Sequence, residues 1–508
     1  MGDASAPLPY TGQAGLPSAN PTKSFWQTSH PNPITHHRST GALPSKASVV
    51  VIGTGISGTF ATHELLTNAA DDLDVLVLEA RTTCSAATGR NGGHLQPLIH
   101  SERTAIIDFE LRNYHHIANM VKDNNIPCDF RQLPGCLGFW SKTYFDEAKA
   151  ALHSKAEVAG KHRSLVRIVE DPQELSKLRL TGGVVGAIVQ DVAASLSPYK
   201  LMIWLWTEML RKHEPGRLNL QTETPVLSLA PVEDAEGWIL HTDRGDVEAK
   251  RVVVTTNGYT SHLLPQFARL ISPTQAQMSA LIPPKDSPFT DTLIPKSYGM
   301  MGVGTQDRVM SDYLVQNPIL HREDRGVVGH GGHLMFGGGR AEAQGHGEGV
   351  SDDDYVDADV EKYLRCLPER LNLSTTADNS ISGREAGGLL DIAASWTGII
   401  GSSADGHPWV GGVPGSPGLF VAAGYSGHGM TNAGLCGRHV ARLAIADVKG
   451  ADWMALQAKE VDIAESEQDG GVPREYVITQ ERMDAVGEGS TIDQDIEKWT
   501  KHLEREPC

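Results

Sequence analysis

The chain's first strong pattern is a run of consecutive apolar positions, Ala47-Ser48-Val49-Val50-Val51-Ile52, rich in the β-branched residues that favour a buried strand. Gly53 closes it. From Ile56 the apolar positions change to helical spacing, with Ile56, Phe60, Ala61, Leu65 and Leu66 on one face. A second apolar run follows at Asp74-Val75-Leu76-Val77-Leu78-Glu79. Strand, turn, helix and strand within about 30 residues is the size of a parallel crossover unit. Helices are expected over 101–124 and over Lys200 to Lys212, where Leu201, Trp204, Leu205 and Met209 share a side. Strands are expected at 224–229, 238–242, 246–256 and 419–422, the last leading into a small-residue helix through Val440 and Leu443. Between 275 and 336, short strand-like runs broken by Pro and Gly predict an antiparallel sheet. The pattern is α/β, and α+β overall.

The flanks lack such periods. Residues 1–46 are rich in Pro, Ser, Thr, Gly and His and read as an extended N-terminal arm. Gly345 to Asp357 reads as a mobile loop, and 451–508 as an acidic C-terminal tail. At 508 residues the chain exceeds one simple core. Lys plus Arg total 44 and Asp plus Glu total 62, giving a formal charge of −18, which argues against nucleic-acid and anionic-membrane partners. The acidic run Ser351-Asp352-Asp353-Asp354 reads as solvated surface. Six cysteines without a CxxC pair point away from a disulfide framework or zinc site and toward a reducing, cytoplasmic setting. No apolar run is long enough to span a bilayer, and the start lacks a signal-peptide pattern. Scattered histidines such as His36, His37, His115, His116, His333 and His346 do not show metal-ligand spacing.

The first turn carries chemistry. Gly53-Thr54-Gly55-Ile56-Ser57-Gly58 is GxGxxG, a weak signal alone. Here it lies between a hydrophobic strand and an amphipathic helix, and Glu79 ends the next strand. Gly53 permits the tight turn, Gly55 lets backbone approach a pyrophosphate at the helix N-terminus, and Gly58 allows close helix–strand packing. Glu79 is placed to accept from ribose hydroxyls and disfavours a 2′-phosphate. The fingerprint alone fits FAD or NAD.

The run Arg81-Thr82-Thr83-Cys84-Ser85-Ala86-Ala87-Thr88-Gly89-Arg90-Asn91-Gly92-Gly93-His94 can wrap backbone along the second half of a dinucleotide. Ser24-Phe25-Trp26, Pro225-Val226, Val252 to Tyr259, Gly337-Gly338-Gly339-Arg340, Trp396 to Ile399, Asp405 to Gly411 and Gly424 to Met430 follow in order. With them, the chain from about residue 25 to 450 resembles the D-amino-acid-oxidase-like FAD-dependent oxidoreductase superfamily. It is most similar to the branch with a GRNGG segment, which includes γ-glutamylputrescine oxidase-like enzymes. The resemblance implies a Rossmann-type FAD-binding domain from 47–125, 185–262 and 396–450. It implies a second, mainly antiparallel β-sheet substrate domain from 126–184 and 263–395.

The implied FAD-binding set is Gly53, Gly55, Ile56, Ser57, Gly58, Glu79, Ala80, Arg81, Thr88, Arg90, Asn91, Gly92, Gly93 and His94 from the first half. Val226, Asn257, Gly258, Gly427, His428, Gly429 and Met430 complete it. The late turn offers backbone N–H groups at a helix start, suited to negative charge on reduced flavin. Some relatives attach FAD to a Cys in the segment reading here Gly401-Ser402-Ser403-Ala404-Asp405, and others to a His where Asn91 stands. Neither is present, which implies non-covalent FAD.

The implied reaction is oxidation of the C–N bond of a small amine or amino acid by hydride transfer to flavin N5, with molecular oxygen as acceptor. His94, Tyr313 and His428 are the candidate catalytic residues, each with a structural alternative: a plain hydrogen bond, a strand aromatic and packing against the arm. Trp396 reads as core or pocket wall. Other readings stay open: a biosynthetic flavoenzyme acting on a larger nitrogen-containing metabolite, a non-catalytic FAD-binding protein, and, disfavoured by the second glycine-rich turn, an NAD-dependent dehydrogenase. Sequence alone does not set the oligomeric state.

Overall fold

The computed structural model describes residues 13–70, 73–100, 102–154, 162–233, 235–303, 311–319, 331–374, 388–465 and 471–489. Two sheets organise them. The first runs in the order Trp409–Gly412, Leu419–Ala423, Val247–Val254, Lys46–Ile52, Val75–Leu78, Leu218–Gln221, with the hairpin Val226–Pro231 and Trp238–Thr242 attached through Val247–Val254. Lys46–Ile52 is central and parallel to both neighbours, Val50 facing Leu76 on one side and Val252 on the other. It is buried on both faces, which explains its unbroken apolar run.

The helix Ile56–Asn68 crosses back over this sheet. Gly53 at the turn has φ +109°, a region closed to most side chains. The long helix Gly429–Val448 lies beside Ile56–Asn68, so close that a Cβ on Gly437 would sit 2.2 Å from Ser57 O.

The second sheet runs Ile392–Ser403, Ile271–Leu281, Leu334–Gly338, Ser311–Gln316, Ser297–Met301, Arg131–Phe139, Gly186–Ser195, His94–Leu95, with Val166–Val169 attached. Its described pairings are antiparallel except Ser297–Met301 with Arg131–Phe139. Strands Gly186–Ser195 and Ile392–Ser403 lie in this sheet. His94–Leu95, Gly186–Ser195 and Ile392–Ser403 come from or overlap the segments expected to form the FAD-binding domain, so this sheet draws strands from both expected domains. Pairing between distant strands sets that arrangement, and local pattern does not report it.

Three segments expected to be loose are built into the fold. The first is the arm, of which residues 1–12 lie outside the described set. It forms a helix, Phe25–Ser29, with Ser24 and Gln27 in a reciprocal capping box, and buries Trp26. The second is 345–357, which buries Asp353 completely. The third is the C-terminal segment, whose described part carries helices Trp453–Glu465 and Gln480–Gly489 and buries Val472, Tyr476 and Ile478. The rest of that tail, 490–508, lies outside the described residues. No described helix is long and apolar enough to cross a membrane.

Candidate cofactor and substrate site

A cavity of about 800 Å³ lies between the two sheets. Its walls come from both glycine-dense bends. Gly53, Gly55, Ile56 and Ser57 line it from the early turn, and Gly427, His428, Gly429 and Met430 from the late one. The bends touch directly: Ser57 Oγ lies 2.7 Å from Tyr425 OH. Trp206 Nε1 donates to Thr54 O at 3.4 Å behind them.

The early turn is held by its own strand ends. Thr54 donates to Glu79 Oε2 from its backbone N–H (3.0 Å) and its hydroxyl (2.5 Å), and Arg81 N–H donates to Oε1 (3.0 Å). An ionised carboxylate has about four acceptor positions, so Glu79 keeps capacity for a further donor. Thr88 Oγ1 accepts the Ile56 N–H at 3.0 Å, tying the run after Glu79 to the helix start. Ala80, Thr88, Arg90, Asn91 and His94 line the cavity, as do Val226, Asn257 and Gly258. Gly58, Arg81, Gly92 and Gly93 do not. Gly58 packs on the Gly53 carbonyl, Gly93 on the Leu196 carbonyl, and the Gly92 N–H donates to Tyr313 OH at 2.8 Å.

Arg81 and Arg90 meet Asp353, which the sequence reading assigned to solvated surface. The carboxylate is buried between them because the loop crosses the cofactor side of the fold. Arg81 grips it with two bonds, 2.9 and 3.0 Å, while Arg90 Nε lies 3.3 Å away. Burial opposes the charge on both guanidiniums. The bidentate contact outweighs it and holds Arg81 above its ordinary pKa; Arg90, with one long contact, falls to about 10. Two tryptophans pin the backbone of the same run, Trp26 Nε1 donating to Asn91 O (2.6 Å) and Trp396 Nε1 to Arg90 O (2.7 Å).

At the late bend, Asn257 Oδ1 accepts the Gly424 and Tyr425 N–H groups at 3.0 and 3.4 Å. His428 is the N-cap residue of Gly429–Val448 and stays exposed. Behind it the buried Glu110 accepts from Leu98 N–H (2.6 Å), Asn432 Nδ2 (2.7 Å) and Thr431 Oγ1 (3.1 Å). Burial raises its pKa against the attraction of His428. Nothing local in the sequence marks Glu110, whose two side-chain partners, Thr431 and Asn432, lie more than 300 residues away.

His94 and Tyr313 share the wall formed by the second sheet, rings stacked at 5.8 Å and 21°. Burial pushes the Tyr313 phenol up to about 12 and the His94 imidazole down to about 4. Both are neutral near pH 7. His94 Nε2 lies 2.9 Å from Gln96 Oε1, an oxygen that only accepts, so Nε2 carries the proton and Nδ1 the lone pair.

This shift has a measurable consequence. Unfolded, His94 takes up its proton near the ordinary value of 6.5; folded, only near 4. As pH falls through that window the unfolded chain binds more protons, so stability declines. The slope from one such group is roughly 1 kcal/mol per pH unit. His94→Gln is expected to flatten the decline of the thermal midpoint between about pH 6.5 and 4 by that share. An unchanged slope would place His94 in solvent.

The cavity's buried polar atoms suit a flavin dinucleotide. Arg90 Nη2 and Tyr259 OH are donors without protein partners, on residues lining the cavity, and would meet an acceptor-rich ligand. Glu79 offers the complementary acceptor for ribose hydroxyls.

Comparison with known proteins agrees. Over 425 residues the chain is 24% identical to gamma-glutamylputrescine oxidoreductase of Escherichia coli (strain K12), covering 80% of this chain and 85% of that protein. The fold is similar to glycine oxidase from Geobacillus kaustophilus (TM-score 0.59, 17% identity, 80% of this chain and 96% of that one). It is also similar to L-proline dehydrogenase from P.horikoshii (TM-score 0.58, 18% identity, 84% and 100%). The family model described as FAD dependent oxidoreductase matches residues 48–443. With most of its length matched, the chain belongs to that family of FAD-dependent oxidoreductases, and FAD is its cofactor.

Proposed function

We propose that the enzyme oxidises the C–N bond of a small amine or amino acid, with non-covalently held FAD and molecular oxygen as the electron acceptor. The observation that carries this is the meeting of both glycine-dense bends in one cavity whose facing wall is the neutral pair His94 and Tyr313. Bound FAD supplies the two-electron acceptor.

The protein's part is to bind, orient and exclude water. Gly53, Gly55, Ile56 and Ser57 would hold the pyrophosphate, Glu79 and Ala80 the adenosine ribose, and Val226 the adenine side. Thr88, Arg90, Asn91 and His94, with Asn257, Gly258 and Gly427 to Met430, would flank the ring system. Gly58, Gly92 and Gly93 would act by letting these segments pack. Arg81 would act through Asp353, which fixes Arg90 as well.

For oxidation the substrate nitrogen must be a neutral amine. His94 Nδ1, its lone pair free while the ring stays neutral, is suited to accept an N–H and orient it. Tyr313 OH accepts from Gly92 N–H and keeps its own proton to donate. His428, the N-cap residue of the late helix, would help position the ring system at that bend. Location in the cytoplasm fits the five free cysteines among the described residues.

Anaerobic titration of the purified holoenzyme with simple amines, N-methyl amino acids and D- and L-amino acids tests this reading. One class should bleach the flavin absorbance, and air should restore it with formation of hydrogen peroxide. Failure of every nitrogen compound would overturn amine oxidation; bleaching without peroxide would replace oxygen by another acceptor.

A further inference from the structure

One polar group on the substrate-side wall has its hydrogen bonding half made. Gln96 follows the short strand His94–Leu95, lines the cavity and is only 6% exposed. Its Oε1 sits between two donors, His94 Nε2 at 2.9 Å and Ser297 Oγ at 3.1 Å. A carboxamide oxygen has two lone pairs, and both are used. Its NH₂ is buried and has no partner in the protein. Buried amides are normally satisfied, so an open donor on a cavity wall points to a ligand atom.

The surrounding strands hold this arrangement. Ser297 and Gly135 face each other in the parallel pairing of Ser297–Met301 with Arg131–Phe139. A Cβ on Gly135 would lie 2.3 Å from Gln96 Oε1, so the glycine leaves the slot that the amide occupies. Arg340, a cation that also lines the cavity, is engaged elsewhere, donating to His346 O at 3.2 Å and Glu348 Oε1 at 3.3 Å.

We propose that Gln96 Nε2 donates a hydrogen bond to an acceptor oxygen of the substrate, a carboxylate or carbonyl oxygen near the reacting amine. The site thereby selects amines bearing such an oxygen over plain alkylamines. This rests on the reading that the His94 and Tyr313 wall faces the substrate. Gln96 is a binding and specificity residue: it fixes one end of the substrate while the neighbouring His94 meets the nitrogen. A site that hydrogen-bonds an oxygen rejects the analogue lacking it, because its own buried donor is then left unpaired.

The test uses probes that need no turnover. Holoenzyme is titrated with acetate, with acetamide and with tert-butylammonium, which has no hydrogen on the carbon next to nitrogen and cannot form an imine. Binding is followed by the flavin absorbance spectrum. The wild type should bind at least one oxygen probe. Gln96→Leu and the near-isosteric Gln96→Glu should both bind it at least about tenfold more weakly. Neither variant should weaken tert-butylammonium, and the Glu variant should tighten it. Flavin content and thermal midpoint, measured alongside, report whether each variant is folded.

Acetate binding without acetamide assigns a carboxylate, and the reverse a neutral carbonyl. Variants that bind both oxygen probes like wild type, or a wild type that binds neither, would overturn the assignment. Because no oxidation is required, failure of every amine to bleach the flavin would sink the proposed reaction and leave the titration to judge Gln96.

Discussion

Replacing Asp353 by alanine is expected to destabilise the protein by about 3 to 5 kcal/mol, the usual cost of stripping one partner from a buried ion pair. The side chains of Asp353 and Arg90 are each 1% exposed and that of Arg81 10%. Without the carboxylate, two largely buried guanidiniums would lose the acid they are paired with. The loop also holds the arm: Thr22 N–H donates to Asp353 O at 2.7 Å, and Ser18 Oγ bonds Asp352. Arg90 lines the cavity, so flavin content should fall with stability. Urea unfolding of wild type and Asp353→Ala, followed by flavin and tryptophan fluorescence, measures both. Equal stability would mean that the carboxylate lies in water.

The second large effect is expected at Gly58. A Cβ there would sit 2.0 Å from Gly53 O and 2.8 Å from Thr255 Oγ1. Neither neighbour can yield easily. The Gly53 N–H donates to Leu78 O at 2.8 Å, and the Thr255 hydroxyl to Ile52 O at 2.7 Å. Gly58→Ala must therefore prise the helix Ile56–Asn68 away from the strand end and reshape the turn that lines the cavity. Overpacking of this kind costs about 1 to 3 kcal/mol, equivalent to FAD binding weaker by roughly 5- to 150-fold if the strain is relieved in the apoprotein. Fluorescence titration of apoprotein with FAD reads the change. Wild-type affinity in Gly58→Ala would show that helix and turn are not in contact.

Sequence and structure part company along a physical line. The crossover unit from Lys46 to Leu78 was legible because it is local. Its apolar run, its switch to helical spacing and its glycines all fall within a short stretch, and each constraint acts on near neighbours. The helix Pro198–Lys212 and the strand Trp238–Thr242 were legible for the same reason. Asp353 was not, because its meaning comes from Arg81, 272 residues earlier. In isolation, an Asp-rich run looks like solvated surface. The C-terminal segment misled similarly. Val472, Tyr476 and Ile478 fall in a short stretch without a period, yet Tyr476 OH donates to Asn432 Oδ1 at 2.8 Å in the core.

The site divides in the same way. Most residues named beside the glycine motifs line the cavity, since tight turns restrict residue type. Gln96 and Glu110 were missed: they lie in no motif, and only the fold brings Ser297 to one and Thr431 and Asn432 to the other.

The most direct measurement is the identity and amount of cofactor released from wild type and from Gly55→Val, purified side by side. Gly55 lines the cavity at the start of the helix, so a branched side chain there would occupy the space proposed above for the pyrophosphate. Mass spectrometry of the released small molecule should find FAD equimolar with the wild-type chain and nearly absent from the variant. Full FAD in Gly55→Val, or a wild-type chain that takes up none on reconstitution, would contradict a cofactor seated between the two bends.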